Sequence, residues 1–225
     1  MNKDVDIIKE IDKNSIRKNL RGFTWQAFNL LPQMTQPEIL DLGCGTGVPT
    51  IELAILSKGH VTAVDSNRKA LAVLRENSRA LNLTKQITIK KGNIKKPGVK
   101  KNHFDIVWSE GAVNAIGFEK ALSSWRPLLK QEGFLVIHDE KKGYETKVSA
   151  AEGLGYEILH RFFVSVDAWF TRYIKPLSER AEVLREEYHY RKDLLAVIDR
   201  ETYEVKLFRD DPNAVASIFY LMKKK

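Results

Sequence analysis

The stretch EILDLGCGTG, residues 38–47, decides the fold. Ile39, Leu40 and Leu42 read as a buried strand, and three glycines follow within five residues. Beyond them VPTIELAILSKG reads as a helix, with Pro49 in its first turn and Gly59 at its end. Glycines between a strand and a helix let the backbone turn tightly and approach a ligand with no side chain between. The helix N-terminus behind them favours a carboxylate or phosphate. A dinucleotide fingerprint, G-x-G-x-x-G, requires glycine at position 48, where this chain has Val48. The spacing is G-x-G-x-G, which argues against a nicotinamide cofactor. Asp65, 20 residues after Gly45, ends the next apolar run and is placed to accept hydrogen bonds from two ribose hydroxyls.

The same alternation extends outward. HVTAVD (60–65), QITIKKG (86–92), FDIVWSE (104–110) and GFLVIHDE (133–140) read as strands. The helices between them cover 67–83, capped by Ser66 and buried through Ala70, Val73, Leu74 and Leu81, and 114–130. YEILHRFFVSV (156–166) and AVASIFYLMK (214–223) add two strands, and a helix is expected over 143–153. Continuous apolar strands separated by helices predict a doubly wound, parallel α/β sheet. Residues 4–31 read as helical with a break near Gly22, and 167–209 as charged helix with Leu194, Ile198, Val205 and Phe208 on one face. We therefore expect one domain, residues 1–225. Its α/β core spans 38–166 and 214–223, and the helical pieces 1–37 and 167–213 are expected to cap an acceptor site.

Residues 39–47 resemble motif I of the class I S-adenosylmethionine (SAM)-dependent methyltransferases. The similarity continues through AVD (63–65), KGNI (91–94), FDIVWSEGA (104–112) and LLKQEGFLVIHDE (128–140). The segment 108–125 is similar to a small-molecule subgroup with a helical C-terminal addition. The resemblance implies a seven-stranded sheet whose last strand is antiparallel, with SAM as cofactor and a small-molecule acceptor. It implies that Asp41, Gly43, Gly45 and Gly47 line the methionine end, that Asp65 with neighbouring Ser66 holds the ribose, and that Asn93 and Ile94 meet the adenine. Asn93 stands where the family more often has Asp. Ser109 and Glu110 would face the methionine amine and the acceptor, with Glu110 as the base and Glu140 and His138 as weaker alternatives.

Composition sets the boundaries. Apolar residues make up 43% and charged residues 29% of 225, ordinary for a soluble globular chain. No apolar run approaches the roughly 20 residues that span a bilayer, so no membrane partner is expected. The charged N-terminus lacks a signal-peptide core. One cysteine excludes an intrachain disulfide or a cysteine-based zinc site, no metal is expected, and the expected location is cytoplasmic. The net charge of +8 is concentrated in seven lysines, with no acid, between Lys85 and Lys101. That run reads first as a solvated loop face and second as a polyanion contact. A nucleic-acid methyltransferase is the lesser alternative. Ser109-Glu110-Gly111-Ala112 is not the Asn/Asp-Pro-Pro-aromatic loop of base-amine methyltransferases, and the lone Cys44 sits in the glycine loop, where it reads as a packing residue. A SAM-binding protein without transferase activity is the other alternative. His138 reads as a core histidine, Asp139 and Glu140 as strand-end solvation, and Trp169, Phe170, Tyr173 and the cluster Tyr188-His189-Tyr190 as packing groups. The oligomeric state is not legible.

Overall fold

The computed structural model describes residues 6–225. Along the chain run α1 (Ile7–Ile11), α2 (Lys13–Arg17), α3 (Arg21–Asn29), β1 (Glu38–Leu42), α4 (Val48–Ser57), β2 (His60–Asp65), α5 (Arg68–Ala80) and β3 (Ile87–Lys91). They are followed by β4 (Phe104–Glu110), α6 (Phe118–Trp125), β5 (Leu129–Glu140), α7 (Tyr144–Gly153) and β6 (Tyr156–Val164). After β6 come α8 (Val166–Trp169), a π turn over Phe170–Ile174, α9 (Lys175–Glu187), α10 (Lys192–Glu201), α11 (Tyr203–Asp210) and β7 (Ser217–Lys224).

The strands form one seven-stranded sheet in the order β3-β2-β1-β4-β5-β7-β6. The pairs β1–β2, β1–β4, β2–β3 and β4–β5 are parallel, and β5–β7 is antiparallel. Strand order reverses between β1 and β4, which is where an open α/β sheet presents a ligand crevice. The pleat assigns the faces. Leu40, Leu42, Val64, Val107, Leu135 and Ile137 join Leu122, Trp125 and Ala151 in one core, on the side of α6 and α7. The alternate residues Ile39 and Asp41 therefore face the other side, where α4 lies and Thr50 meets Asp41. Fully burying a leucine such as Leu40 is worth about 1.5–3 kcal/mol, so a one-residue slip of β1 would forfeit several such terms at once.

Two compact units emerge. One is Arg21–Phe163 with Ser217–Lys225, and the other, among the described residues, is 6–20 with Val164–Ala216. The sheet unit thus takes in α3, which packs on α4. The second unit has its own core of Ile7, Ile11, Tyr173, Leu177, Ala181, Leu184, Leu194, Ile198 and Val205. Lys13 in α2 donates to the Glu201 carbonyl at 2.7 Å and pairs with Glu204, and Arg180 donates to the Glu10 carbonyl at 2.6 Å. Tyr188 gives its hydroxyl to Glu10 at 3.1 Å, and Phe170 stacks on Phe208, so these aromatics are packing groups.

Several expected boundaries move for local reasons. Gly22 does not break a helix, because α3 runs through it. The breaks fall at Asp12, in the left-handed region at φ 47°, and at a 3₁₀ turn over Lys18–Leu20. Residues 4 and 5 of the expected helix lie outside the described residues. Ser66 is not the cap of α5. Asn67 is, its side-chain oxygen accepting from Lys69 N–H at 3.0 Å and Ala70 N–H at 3.2 Å. Leu81 lies past the helix end and is exposed, and Leu71 is buried in its place. The helix expected over 114–130 is confined to α6 by Gly117 at φ 86° and by Pro127, which leaves a 3₁₀ turn over Arg126–Leu128.

Candidate active site

β1, β2 and β4 end side by side and bring three acids together on the α4 side of the sheet. Asp41 is buried, and the Thr50 hydroxyl lies 2.5 Å from its Oδ2. Burial raises its pKa to about 7. The Thr50 bond opposes that shift, and the charges of Glu110 and Asp65 add to it. Asp65 accepts from Gly45 N–H at 2.9 Å through Oδ2 and from Asn67 N–H at 2.8 Å through Oδ1. Each carboxylate oxygen keeps a lone pair for a further donor.

Glu110, at the end of β4, is half-buried. Its Oε1 accepts from the Trp108 indole at 2.8 Å and from the Thr24 hydroxyl of α3 at 2.9 Å. Burial lifts its pKa to about 7 against the lowering effect of both bonds. Both partners escaped the sequence reading. Trp108 had a signal, since residues two apart share one face of a strand. Thr24, 86 residues away and set among apolar neighbours, had none. Trp25 beside it donates to Glu52 of α4 at 2.6 Å, which fixes α3 over this end of the sheet.

The three loop glycines differ in what they do. All have positive φ. A Cβ at Gly43 would stand 2.2 Å from Ala112 Cβ, and one at Gly47 would stand 2.1 Å from a Leu74 methyl. These two glycines are demanded by packing. Around the corresponding point at Gly45 nothing lies within 4 Å, so there the backbone borders open space. The loop is closed by Gly43 N–H on the Val64 carbonyl at 2.8 Å and Gly47 N–H on the Cys44 carbonyl at 2.9 Å. Cys44 is buried and its thiol pKa is pushed up, first by burial, so it is an unreactive packing group.

The remaining expected residues lie around this centre. Ser109 is fully buried and donates to the Leu42 carbonyl at 2.8 Å, so its hydroxyl ties β4 to β1. Asn93 is exposed just beyond β3, its Oδ1 accepting from Lys95 N–H at 2.9 Å. Ile94 is half-buried and its carbonyl holds the Trp125 indole at 2.8 Å. Ser66 is exposed beside Asp65. His138 stacks on Phe219 with ring centres 4.3 Å apart and lies 2.7 Å from Ser217 Oγ. Burial lowers its pKa to about 4, which keeps it neutral near pH 7. Asp139 is held by Lys147 at 2.6 Å. Glu140 is exposed. A separate cleft of about 540 Å³ is lined by Gly117, Phe118, Glu119, Lys120, Gly143, Thr146 and Lys147, and none of the three acids borders it. Among the described residues no group of His, Cys, Asp and Glu could hold a metal ion. No helix there is long and apolar enough to cross a membrane.

Comparison with known proteins adds a family. A model described as a methyltransferase domain matches residues 35–179. The sterol 24-C-methyltransferase of Saccharomyces cerevisiae is 28% identical over 137 residues, 57% of this chain and 36% of that protein. The ubiquinone/menaquinone biosynthesis C-methyltransferase of Wigglesworthia glossinidia brevipalpis is 34% identical over 123 residues, 52% of this chain and 49% of that protein. The chain thus spans less than half the length of these curated relatives. A SAM-dependent methyltransferase from Geobacter sulfurreducens, solved with S-adenosylhomocysteine, superposes with a TM-score of 0.73 at 14% identity, covering 92% of this chain and 90% of that one.

Proposed function

We propose, because this chain belongs to the methyltransferase-domain family and has the class I fold, that it moves a methyl group from SAM to a small-molecule acceptor, with Glu110 as the proton acceptor. SAM, the methyl donor of the family, supplies a methyl group on a positively charged sulfur that leaves as a neutral thioether. The residues present fit it. Gly45 borders open space, and Asp65 offers free lone pairs beside it. Asp65 would hold the ribose hydroxyls with Ser66 alongside, and Asn93 and Ile94 would border the adenine. The loop Gly43–Gly47, with Asp41 beneath, would carry the methionine end. Ser109 contributes by holding β4 in register with β1.

The observation that carries the reading is the convergence of Asp41, Asp65 and Glu110 on one side of the switch point. A cluster of carboxylates stabilises positive charge nearby, and both a sulfonium and an ammonium bring it. When the acceptor atom forms its new bond to the methyl carbon, it sheds a proton. A carboxylate with a pKa near 7 takes a proton with little driving-force penalty at neutral pH. Thr24 and Trp108 both bond Oε1, which leaves Oε2 for the acceptor. The relatives' names refer to sterol and quinone-pathway C-methylation, so a carbon acceptor is included in this reading. The reaction is assigned to the cytoplasm, where Cys44 stays a thiol.

The test is SAM carrying a labelled methyl group, incubated with protein and cell extract and fractionated into small molecules, RNA and protein. Label in the small-molecule fraction is expected, and none in any fraction would defeat the reading. Calorimetric titration should show binding of SAM and S-adenosylhomocysteine and no binding of NAD.

A further inference from the structure

Residues 66–104 carry eleven lysines and arginines and one acid, a net of +10 against +8 for the whole chain. The rest of the protein is therefore slightly acidic, and the positive charge belongs to one region. The fold gathers it. α5 packs on β2 and β3, β3 is the outermost strand, and the loop after it carries Ile94 and Val99 back to the core shared with α6. Cations consequently wrap the β3 edge from both sides. Arg68, Lys69, Arg75 and Arg79 on α5 are exposed, as are Lys85, Lys91, Lys95, Lys96, Lys100 and Lys101.

Elsewhere a share of the cations is matched, as in Lys13–Glu204, Lys130–Asp105, Lys147–Asp139, Arg185–Asp199 and Arg191–Asp193. Among the described residues, none of these ten exposed cations makes an ion pair. Lysines along an edge strand discourage strand-to-strand pairing, but of these ten cations only Lys91 lies on β3 itself.

We propose that this face docks the protein on an anionic membrane surface, from which a lipid-dissolved acceptor is reached; the acceptor half rests on the methyl-transfer reading. The chemistry of the face favours a bilayer over nucleic acid. Seven of these ten exposed cations are lysines, mobile point charges suited to a diffuse field of headgroups, and the three arginines, Arg68, Arg75 and Arg79, are confined to α5. No Phe, Trp or Tyr occurs between Ser66 and His103, so no base has a ring to stack on. Leu81, 51% exposed between Arg79 and Lys85, offers an apolar contact within the charged field. Among the described residues no helix is long and apolar enough to cross a membrane, and adsorption through charge requires none.

The experiment is sedimentation with vesicles of phosphatidylcholine, alone or with roughly a third phosphatidylserine, at low and physiological salt. Binding only to the anionic vesicles, weakening as salt rises, is expected. The triple variant Lys85→Glu, Lys100→Glu, Lys101→Glu, which avoids the candidate site, should bind them about a hundredfold more weakly. Its circular dichroism and its affinity for SAM should be unchanged. Equal binding to neutral vesicles, or none to anionic vesicles at low salt, would overturn the proposal. So would duplex RNA displacing the protein from vesicles at physiological salt, which would identify a nucleic acid as the partner. SAM titration runs separately. Vesicle binding without SAM binding would sink the methyl-transfer reading and leave the docking surface standing, and the reverse result would do the opposite.

Discussion

At the residue scale the chemistry depends on Glu110. Its raised pKa predicts that methyl transfer grows as pH rises through about 7, as the carboxyl loses its proton. Glu110→Gln should keep SAM affinity within about tenfold, lower the rate by about 10²–10⁴ and flatten that pH profile. An unchanged rate would demote Glu110 to a structural group. The same shift has a cost in stability. Between about pH 4.5 and 7 the folded protein keeps a proton that the unfolded chain releases, so stability falls as pH rises through that window. Glu110→Gln should therefore stabilise the ligand-free protein, by about 1–3 kcal/mol at pH 8 and far less at pH 4.5, as read from urea titrations at the two pH values. The glycines give a second prediction. Gly45→Ala places a methyl group in open space on a left-handed backbone, and should weaken SAM binding tenfold or more with a small change in Tm. Gly43→Ala and Gly47→Ala drive into Ala112 and Leu74 and should lower Tm sharply. The motif was legible as a motif because its spacing is a backbone requirement. The separate roles of its glycines were not, since they are set by Ala112 and Leu74, which lie 69 and 27 residues further along the chain.

At the element scale, strands were legible where burial makes them continuously apolar. β2 and β4 match their expected limits, and β1 and β3 fall within a residue of theirs. Helix ends were less legible because capping chooses between neighbours. Ser66 and Asn67 are both good caps, and Asn67 is selected because Asp65 already holds its N–H. Asn67→Ala should cost about 0.5–2 kcal/mol in thermal or urea unfolding, and Ser66→Ala close to nothing. A larger loss at Ser66 would reverse the assignment. α3 supplies what the sequence could not place, a buried hydroxyl from a distant helix aimed at the end of β4. Thr24→Val removes a bond that favours the ionised carboxylate, so the Glu110 pKa should rise further. The rate should then fall several-fold near pH 7 and recover by about pH 9, a profile that simple loss of fold would not produce.

At the scale of the whole molecule, chain order and spatial order disagree in one place. The sequence announced seven strands and a helical stretch before the last of them. It did not reveal that residues 6–20 join that stretch, because the pairing rests on Lys13 meeting the Glu201 carbonyl and Arg180 meeting the Glu10 carbonyl, each across more than 160 residues. β7 lies between β5 and β6, yet it follows both, after the helices of 165–216. On the ribosome this sets a timetable. β1 to β5 can pair as they emerge, each beside a strand already made, but β6 has no neighbour in the sheet except β7. From the birth of β6 until β7 is released, one strand waits outside the sheet and β5 shows an open edge, the interval in which a nascent chain is most exposed to mispairing. Ribosome-stalled chains ending near residue 210 should be cut by protease within β6, and chains carried past β7 should resist. The last strand made therefore acts as the clasp of the sheet, and this protein should rely on holding chaperones late in its synthesis.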